Sequence, residues 1–253
     1  MSDLPRILVW YSDGAASAVA AKLARDKYGD RAMIVKCDTT ADEHPDNLRF
    51  RKDVERWIGA TVSLIQSDKF STIDDVFEKT RYMSGIAGAR CTTELKKLVR
   101  QRFERSDDIH IFGYTSDEYR RAVRFQDNNP ELSCEWILAD AFIRKQDCHR
   151  MLREAGISQP VMYSLGFEHN NCIGCVKAQS PGYWNRTRQE FPDAFARRAR
   201  QSRDIGARLV KVKGERVFLD ELDPSEGLDE PDGQIECGPF CEMDSDPHEE
   251  DSP

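Results

Sequence analysis

Short apolar segments alternate with longer amphipathic segments over the first 115 residues of the chain. Four apolar segments are typical of buried strands: Arg6–Tyr11, Ala32–Cys37, Thr61–Ile65 and Asp108–Tyr114. The segments between them are predicted helices: Ala15–Tyr28, Asp46–Ile58, Ile73–Thr80 and Thr92–Phe103. In the second of these helices the pattern places Leu48, Val54 and Trp57 on one side. Alternation of strands and helices predicts an α/β fold, with a parallel twisted sheet covered by helices on both faces.

The second half of the chain has a helical pattern and carries a close pair of cysteines. The predicted helices are Asp117–Phe125, Lys145–Glu154, Tyr183–Glu190 and Pro192–Asp204. Two apolar patches, Arg208–Val212 and Arg216–Leu219, predict a small hairpin. We therefore expect an α/β core over residues 1–130, a helical cysteine-bearing extension over 131–218, and an acidic, partly disordered tail over 219–253.

Composition and charge narrow the class of protein. The longest strongly apolar run, Ile7–Tyr11, is far shorter than the roughly 20 residues of a transmembrane helix. The N-terminus lacks a secretion signal pattern, so a cytoplasmic protein is expected. The chain from Leu219 onward holds 14 acidic residues and no Lys or Arg, which leaves 37 basic against 31 acidic residues before it. That basic body fits either an ordinary solvated surface or a protein that handles phosphates.

The spacing of the eight cysteines indicates candidate chemistry. Cys172 and Cys175 form a C-x-x-C pair, Cys237 and Cys241 a C-x-x-x-C pair, and Cys91 stands alone. Close pairs in a reducing compartment favour metal or redox chemistry, with packed thiols as the alternative. Three further cysteines are interpreted as buried structural thiols: Cys37, Cys134 and Cys148.

A polar turn follows the first strand and leads directly into a helix. The turn runs from Ser12 to Ser17, and a helix N-terminus there offers free backbone N–H groups to an anion. Phosphate binding is one interpretation; a plain turn with Ser12 or Asp13 as helix cap is the other. Asp38, at the end of the second strand, is a candidate contact to a ribose or base.

Four motifs in order resemble those of the phosphoadenosine phosphosulfate (PAPS) reductase family, in particular its phage members. They are Ser12-Asp-Gly-Ala-Ala-Ser17, Arg90-Cys-Thr-Thr-Glu-Leu-Lys-Lys97, Gly113-Tyr-Thr-Ser-Asp-Glu-Tyr-Arg-Arg121 and Asn171-Cys-Ile-Gly-Cys175. The resemblance covers about Arg6 to Cys241 and implies the fold of the adenine nucleotide alpha-hydrolase (PP-loop) superfamily. It also implies that an adenine nucleotide, ATP or PAPS, binds at a loop formed by Ser12, Asp13, Gly14, Ala15, Ala16 and Ser17. Asp13 stands where the family has its first Gly, which places a carboxylate near the expected phosphates unless it points away. Ala16 stands where the family has Asp, which weakens the case for ordinary ATP pyrophosphate cleavage with magnesium.

The resemblance also implies roles for residues outside the loop. Cys91, Cys172 and Cys175 match three of four iron–sulfur ligand positions, Cys172 lying 81 positions after Cys91, and Thr92 stands at the fourth. An iron–sulfur cluster is favoured, with zinc as the alternative. The segment Glu236-Cys237-Gly238 resembles the reductase tail, in which the cysteine attacks the phosphosulfate sulfur and a thioredoxin-like reductant completes the cycle. The remaining implied site residues are Glu118 and Arg120 as catalytic groups, and Lys96 and Arg121 as nucleotide contacts.

Two reactions and one non-enzymatic function stay open at this stage. Reduction of a phosphosulfate competes with nucleotide-activated sulfur transfer, for which an acceptor in nucleic acid is one option. An Arg-rich stretch beside Tyr183 and Trp184 could hold single-stranded nucleic acid by charge and stacking, or it could be a solvated face. The stretch consists of Arg186, Arg188, Arg197, Arg198, Arg200 and Arg203. A nucleotide- or nucleic-acid-binding module without turnover is the third option. The expected partners include no membrane, and a homodimer is left open.

Overall fold

The computed structural model describes residues 4–85 and 88–227. Its strands are β1 (Ile7–Trp10), β2 (Ala32–Cys37), β3 (Val62–Ile65), β4 (Ser84–Gly85), β5 (Gly88–Ala89), β6 (Ile109–Ile111), β7 (Ser133–Glu135), β8 (Val210–Val212) and β9 (Glu215–Val217). Five of them form a sheet in the order β3-β2-β1-β6-β7, and every neighbouring pair is parallel. The expected α/β architecture with a parallel sheet is therefore confirmed.

Helices connect the strands and cover the sheet. They are α1 (Ala15–Tyr28), α2 (Asn47–Ile58), α3 (Ile73–Thr80), α4 (Arg90–Thr92), α5 (Leu98–Phe103), α6 (Tyr119–Asn128), α7 (Ile137–Asp140), α8 (Lys145–Glu154), α9 (Val161–Ser164), α10 (Pro181–Glu190) and α11 (Pro192–Ile205). A π-helical segment, Thr93–Lys97, joins α4 to α5. The side of α2 that packs inward carries Phe50, Val54 and Ile58, so the expected face is wrong in part, and Leu48 is exposed.

The central strand β1 is buried along its whole length because helices lie over both faces of the sheet. Alanines of α1 allow this helix to pack closely on β1, and α7 and α8 pack in turn against α1. The sheet also continues past residue 130, since β7 pairs with β6 through Ile109 and Ser133. The α/β core thus includes residues that we expected in the helical extension.

A second apolar cluster holds the cysteine loop and the C-terminal helices. Trp184 is fully buried in it, together with Cys172, Cys175 and Leu219. The predicted hairpin is confirmed: β8 and β9 pair antiparallel, and Lys213 and Gly214 take positive φ values in the two-residue turn. No helix within the described ranges is long and apolar enough to cross a membrane.

Candidate nucleotide and cysteine site

The turn after β1 is held by the hydroxyl of Ser17. Its Oγ accepts from the Ser12 backbone N–H at 3.1 Å, lies 3.2 Å from Ser12 Oγ, and donates to the Gly14 carbonyl at 3.0 Å. Gly14 is the N-cap of α1, with no side-chain cap and no acidic residue in the first turn. The first N–H groups of an α-helix lack intrahelical acceptors. Ala15 and Ser17 are buried, however, and the Tyr163 hydroxyl hydrogen-bonds to the Ala15 backbone, so the protein itself covers part of the positive end of α1.

Strand β6 ends against this turn. A Cβ on Gly113 would lie 2.8 Å from the Ser17 nitrogen and 3.0 Å from the Ala16 carbonyl carbon. Only glycine permits this backbone approach, because the neighbours are main-chain atoms that cannot move aside. The glycine that opens the third motif thus fixes where α1 begins relative to the sheet edge.

The side chain of Asp13 is turned away from solvent into a buried ion pair. Asp13 has φ of +58°, a conformation that Asp tolerates better than most residues, and its carboxylate is fully buried. Arg51 of α2 donates to both carboxylate oxygens, at 3.0 and 2.7 Å, and Lys36 Nζ lies at 3.2 Å. The loop carboxylate is therefore neutralised by two cations.

Glu43 completes this network, which we call the buried ion cluster: Asp13, Lys36, Glu43 and Arg51. Lys36 donates to Glu43 at 2.6 Å, and Thr39 and Asn47 donate to the same carboxylate at 2.6 and 3.1 Å. Burial acts to raise the pKa of Glu43, but the charge of Lys36 and the three hydrogen bonds outweigh it and lower this pKa to about 2. Two carboxylates and two cations give the cluster no net formal charge.

A cleft beyond the carboxyl ends of β1 and β2 brings distant motifs together. It is lined by Trp10, Tyr11, Ser12, Lys36, Cys37, Glu43, Lys96, Asn170, Asn171 and Cys172. Ser12 comes from the first motif, Lys96 from the second and Cys172 from the fourth. In open parallel sheets this edge is where ligands bind. The cleft therefore unites the first residue of the Ser12–Ser17 turn, a cation and a thiol. The rest of that turn, residues 13–17, is not among the lining residues in the described part of the chain.

The three cysteines predicted as metal ligands lie in one apolar region. Cys172 and Cys175 are buried in the second cluster, and the half-buried Cys91 packs against it. The Cys175 backbone N–H donates to the Tyr183 hydroxyl at 2.7 Å, which fixes the loop between the cysteines. Across residues 4–85 and 88–227, no group of three His, Cys, Asp or Glu residues is arranged to hold a metal ion. A shared metal site for these thiols stays a prediction.

Several other predicted site residues have local structural contacts. Glu118 accepts hydrogen bonds from Thr115 and from Arg121, whose guanidinium also lies over the Tyr114 ring. Arg120 is exposed on α6. Asp38 follows β2 and accepts a hydrogen bond from the Thr40 backbone. None of these side chains is among those lining the cleft in the described part of the chain.

The Arg-rich stretch is not an aromatic nucleic-acid platform. Tyr183 and Trp184, expected to stack on bases, are 3% and 0% exposed. Arg198 is buried and pairs with Asp74 at 2.6 Å, and Arg203 pairs with an acidic 3-10 turn, Leu219–Glu221. The alternation of arginine and aromatic residues along α10 and α11 reflects packing, because the rings point into the cluster. The stacking interpretation of this stretch is wrong.

Lys36 and Arg51 were absent from the expected site. The signal for Lys36 is its place inside an otherwise apolar strand, Ala32–Cys37, where a buried amine needs an acidic partner. Arg51 has no comparable signal, since charged residues are common on a surface helix. Cys237, expected as nucleophile, and residues 228–253 lie outside the described residues.

In comparisons with known proteins, no family model matched the chain and no curated protein matched its sequence.

Proposed function

We propose that this protein is an enzyme that binds an adenine nucleotide, ATP or PAPS, with its phosphates at the Ser12–Ser17 turn and carries out sulfur chemistry beside them. The observation that carries the proposal is the convergence of Ser12, Lys96 and Cys172 on one cleft at the carboxyl edge of the sheet. These residues come from three motifs separated by about 80 positions each. Nothing in general packing requires a phosphate-type turn, a lysine and a buried thiol to meet there.

Phosphate binding is favoured by the charges around the turn. The N-terminus of α1 has no acidic residue in its first turn, and Lys96 supplies a cation to the cleft. The carboxylate of Asp13, which would repel phosphate if it faced the ligand, is instead held by Arg51 and Lys36. The departure at position 13 is therefore compatible with an anionic ligand.

The sulfur chemistry is assigned to the cysteines. In the reductase version, the Cys237 thiolate attacks the sulfur of a bound phosphosulfate, forming an S–S bond as the S–O bond to the nucleotide phosphate breaks. A thioredoxin-like dithiol then reduces this thiosulfonate, releasing sulfite and becoming oxidised to a disulfide. Cys91, Cys172 and Cys175 would hold an iron–sulfur cluster or zinc, which would supply thiolate-bound metal chemistry next to the nucleotide.

Nucleotide-activated sulfur transfer is the second candidate. It is favoured by Cys172 itself, which lines the cleft, whereas Cys237 lies outside the described residues. The acceptor would be a base or nucleic acid, although the Arg-rich stretch gives no support for stacking. A nucleotide-binding module without turnover would have the same phosphate site, but it would convert neither PAPS nor ATP.

Calorimetric titration with ATP, AMP and PAPS tests the nucleotide site. Ser12→Ala and Lys96→Ala should each weaken binding about tenfold or more, as loss of a charge-assisted hydrogen bond does. Ser63→Ala and Lys52→Ala, on exposed positions of β3 and α2, are the matched controls and should bind normally. Unchanged affinity in both site variants would leave Ser12–Ser17 as a plain turn.

Product analysis separates the reactions. Sulfite release from PAPS that is lost in Cys237→Ser but kept in Cys241→Ser would identify reduction. Turnover of ATP with sulfur incorporation into an acceptor, lost in Cys172→Ser, would identify transfer. Metal analysis of anaerobically purified protein, with Cys148→Ser as a control thiol away from the cleft, tests the metal site.

A further inference from the structure

A second cavity, of about 340 Å³, lies beside the cleft, and we call it the acidic cavity. It is lined by Ala41, Asp42, Glu43, Ile173, Glu190, Phe191, Pro192, Asp193, Ala194 and Arg197. These residues come from the turn after β2, from the cysteine loop and from the junction of α10 and α11. Glu43 lines both spaces, and Ile173 directly follows Cys172, so the cavity and the cleft are neighbours. Its volume is in the range of small-molecule binding sites.

Three carboxylates that line the acidic cavity lack a cation partner. Among the residues that the structure describes, Asp42, Glu190 and Asp193 form no ion pair. Asp42 is half-buried, and its Oδ2 accepts a hydrogen bond from the Ile73 backbone N–H at 2.9 Å. Burial raises the pKa of the Asp42 carboxyl to about 6, although this hydrogen bond opposes the shift. The ionised carboxylate therefore costs stability in the free protein, and a bound cation would recover that cost.

The other charged groups at the cavity do not balance these carboxylates. Glu43 pairs with Lys36 at 2.6 Å inside the buried ion cluster, which has no net formal charge. Arg197 and Arg198 pair with the same carboxylate, Asp74, at 2.8 and 2.6 Å, which leaves one positive charge. Three unpaired carboxylates against one remaining cation give the cavity a net negative charge. An anionic ligand is repelled there and a cation is attracted.

The rest of the cavity wall is apolar and includes an aromatic ring. Phe191 lies where α10 ends and α11 begins, and its ring centroid is 6.0 Å from that of Phe167 and 5.9 Å from that of His44. A cation is attracted to the face of such a ring. Within the described ranges, no three His, Cys, Asp or Glu side chains converge as ligands of a metal ion. Carboxylates spread around an apolar wall suit an organic cation better than a metal.

We propose that the acidic cavity binds a small organic cation, an amine or guanidinium group carried on an apolar body. The charged group faces Asp42, Glu190 and Asp193, and the apolar body packs against Phe191 and Ile173. This inference goes beyond the proposed function and does not depend on nucleotide binding. It places the cation next to the cysteine loop. A free small molecule and a Lys or Arg side chain of a partner protein offer the same chemistry.

A series of probes that differ in charge tests what the cavity selects. Phenethylamine is a cation, 2-phenylethanol is neutral and 3-phenylpropionate is an anion, and all three carry a phenyl body of similar size. In titrations followed by NMR, the amine should bind with a millimolar or lower dissociation constant, as expected for a ligand of about nine non-hydrogen atoms. It should bind about tenfold or more tightly than the alcohol, and the carboxylate should bind most weakly.

Charge-removing variants locate the binding. Asp42→Asn, Glu190→Gln and Asp193→Asn should each weaken phenethylamine binding about two- to fivefold and leave 2-phenylethanol binding unchanged. Asn still offers an oxygen to the Ile73 N–H, so Asp42→Asn should unfold at the wild-type urea concentration or a higher one. Asp127→Asn is the matched control, because Asp127 is an exposed carboxylate of α6 that does not line the cavity, and it should bind the amine normally.

Several outcomes would overturn the cation site. They are the absence of amine binding, equal binding of amine and alcohol, and wild-type affinity in all three site variants. Displacement of the amine by MgCl₂, but not by NaCl at the same ionic strength, would assign the carboxylates to a metal instead. A blocked tripeptide with a central lysine separates the two sources: tighter binding than phenethylamine indicates a partner's side chain, and weaker binding a free small molecule. Because no probe is a nucleotide, failure of ATP and PAPS to bind would overturn the proposed function alone.

Discussion

Asp13→Asn tests whether the loop carboxylate is a structural ion-pair partner or a group that faces the phosphates. The substitution keeps the size of the side chain and the tolerance for positive φ, and it removes one negative charge. In the buried ion cluster this leaves Lys36 and Arg51 opposite Glu43 alone, so one positive charge is buried without compensation.

The expected loss of stability follows from that imbalance. Asp13 is fully buried and accepts two hydrogen bonds from Arg51, at 3.0 and 2.7 Å. Removing one partner of a buried pair costs about 3–5 kcal/mol in free energy of unfolding. The double variant Asp13→Asn with Arg51→Met should lose less than the sum of the two single variants, because it removes the uncompensated charge.

Urea denaturation followed by circular dichroism measures the stability, and calorimetry measures nucleotide affinity. Asp30→Asn is the matched control, since Asp30 pairs with Arg25 while its own side chain is fully exposed, and such pairs contribute little. The reasoning is refuted if Asp13→Asn unfolds at the wild-type urea concentration and binds ATP or PAPS more tightly. That result would mean the carboxylate repels the ligand phosphates.

Three further predictions follow from individual contacts. Although burial acts to raise it, the charge of Lys36 and the hydrogen bonds to the carboxylate lower the pKa of Glu43 to about 2, from an ordinary 4.5. The stability that the ionised carboxylate contributes should therefore be fully present above pH 4.5 and be lost as the pH falls toward 2, and Glu43→Gln should flatten this part of a pH–stability profile. Gly113→Ala should lower the free energy of unfolding by about 1–3 kcal/mol and weaken nucleotide binding, because the new Cβ would lie 2.8 Å from the Ser17 backbone nitrogen. Wild-type stability in urea unfolding together with wild-type affinity in calorimetry would contradict the close approach. Thr72→Ala should lower the free energy of unfolding, measured by thermal denaturation, by about 1 kcal/mol, because Thr72 Oγ1 caps α3 by accepting from the Asp75 backbone N–H at 3.1 Å. Nucleotide affinity should not change.

The sheet could be predicted from the sequence because its strands carry their own signal. β1 and β2 are short apolar runs buried on both faces, and each is followed by a helix that returns the chain to a parallel neighbour. β7 had no such signal: Ser133, Cys134 and Glu135 are polar or small, and the strand forms because it pairs with the edge of β6. An edge strand of three residues depends on tertiary pairing, which local pattern does not record.

The sequence predicted site residues only where a residue pattern has few possible chemical roles. A serine and glycine turn between a strand and a helix indicates an anion site, and a cysteine pair indicates metal or redox chemistry, so Ser12 and Cys172 were identified and do line one cleft. The role of Asp13 could not be inferred this way, because the sign of its effect on a phosphate depends on whether Arg51, 38 positions away, reaches it. Nor could the orientation of the Asn170 amide be inferred, because it is set by the acceptors of its two protons, the Asp13 carbonyl and Asn47 Oδ1. Sequence therefore indicates which chemical groups are present in the cleft, whereas the charge and direction that each group offers to a ligand are set by partners distant along the chain.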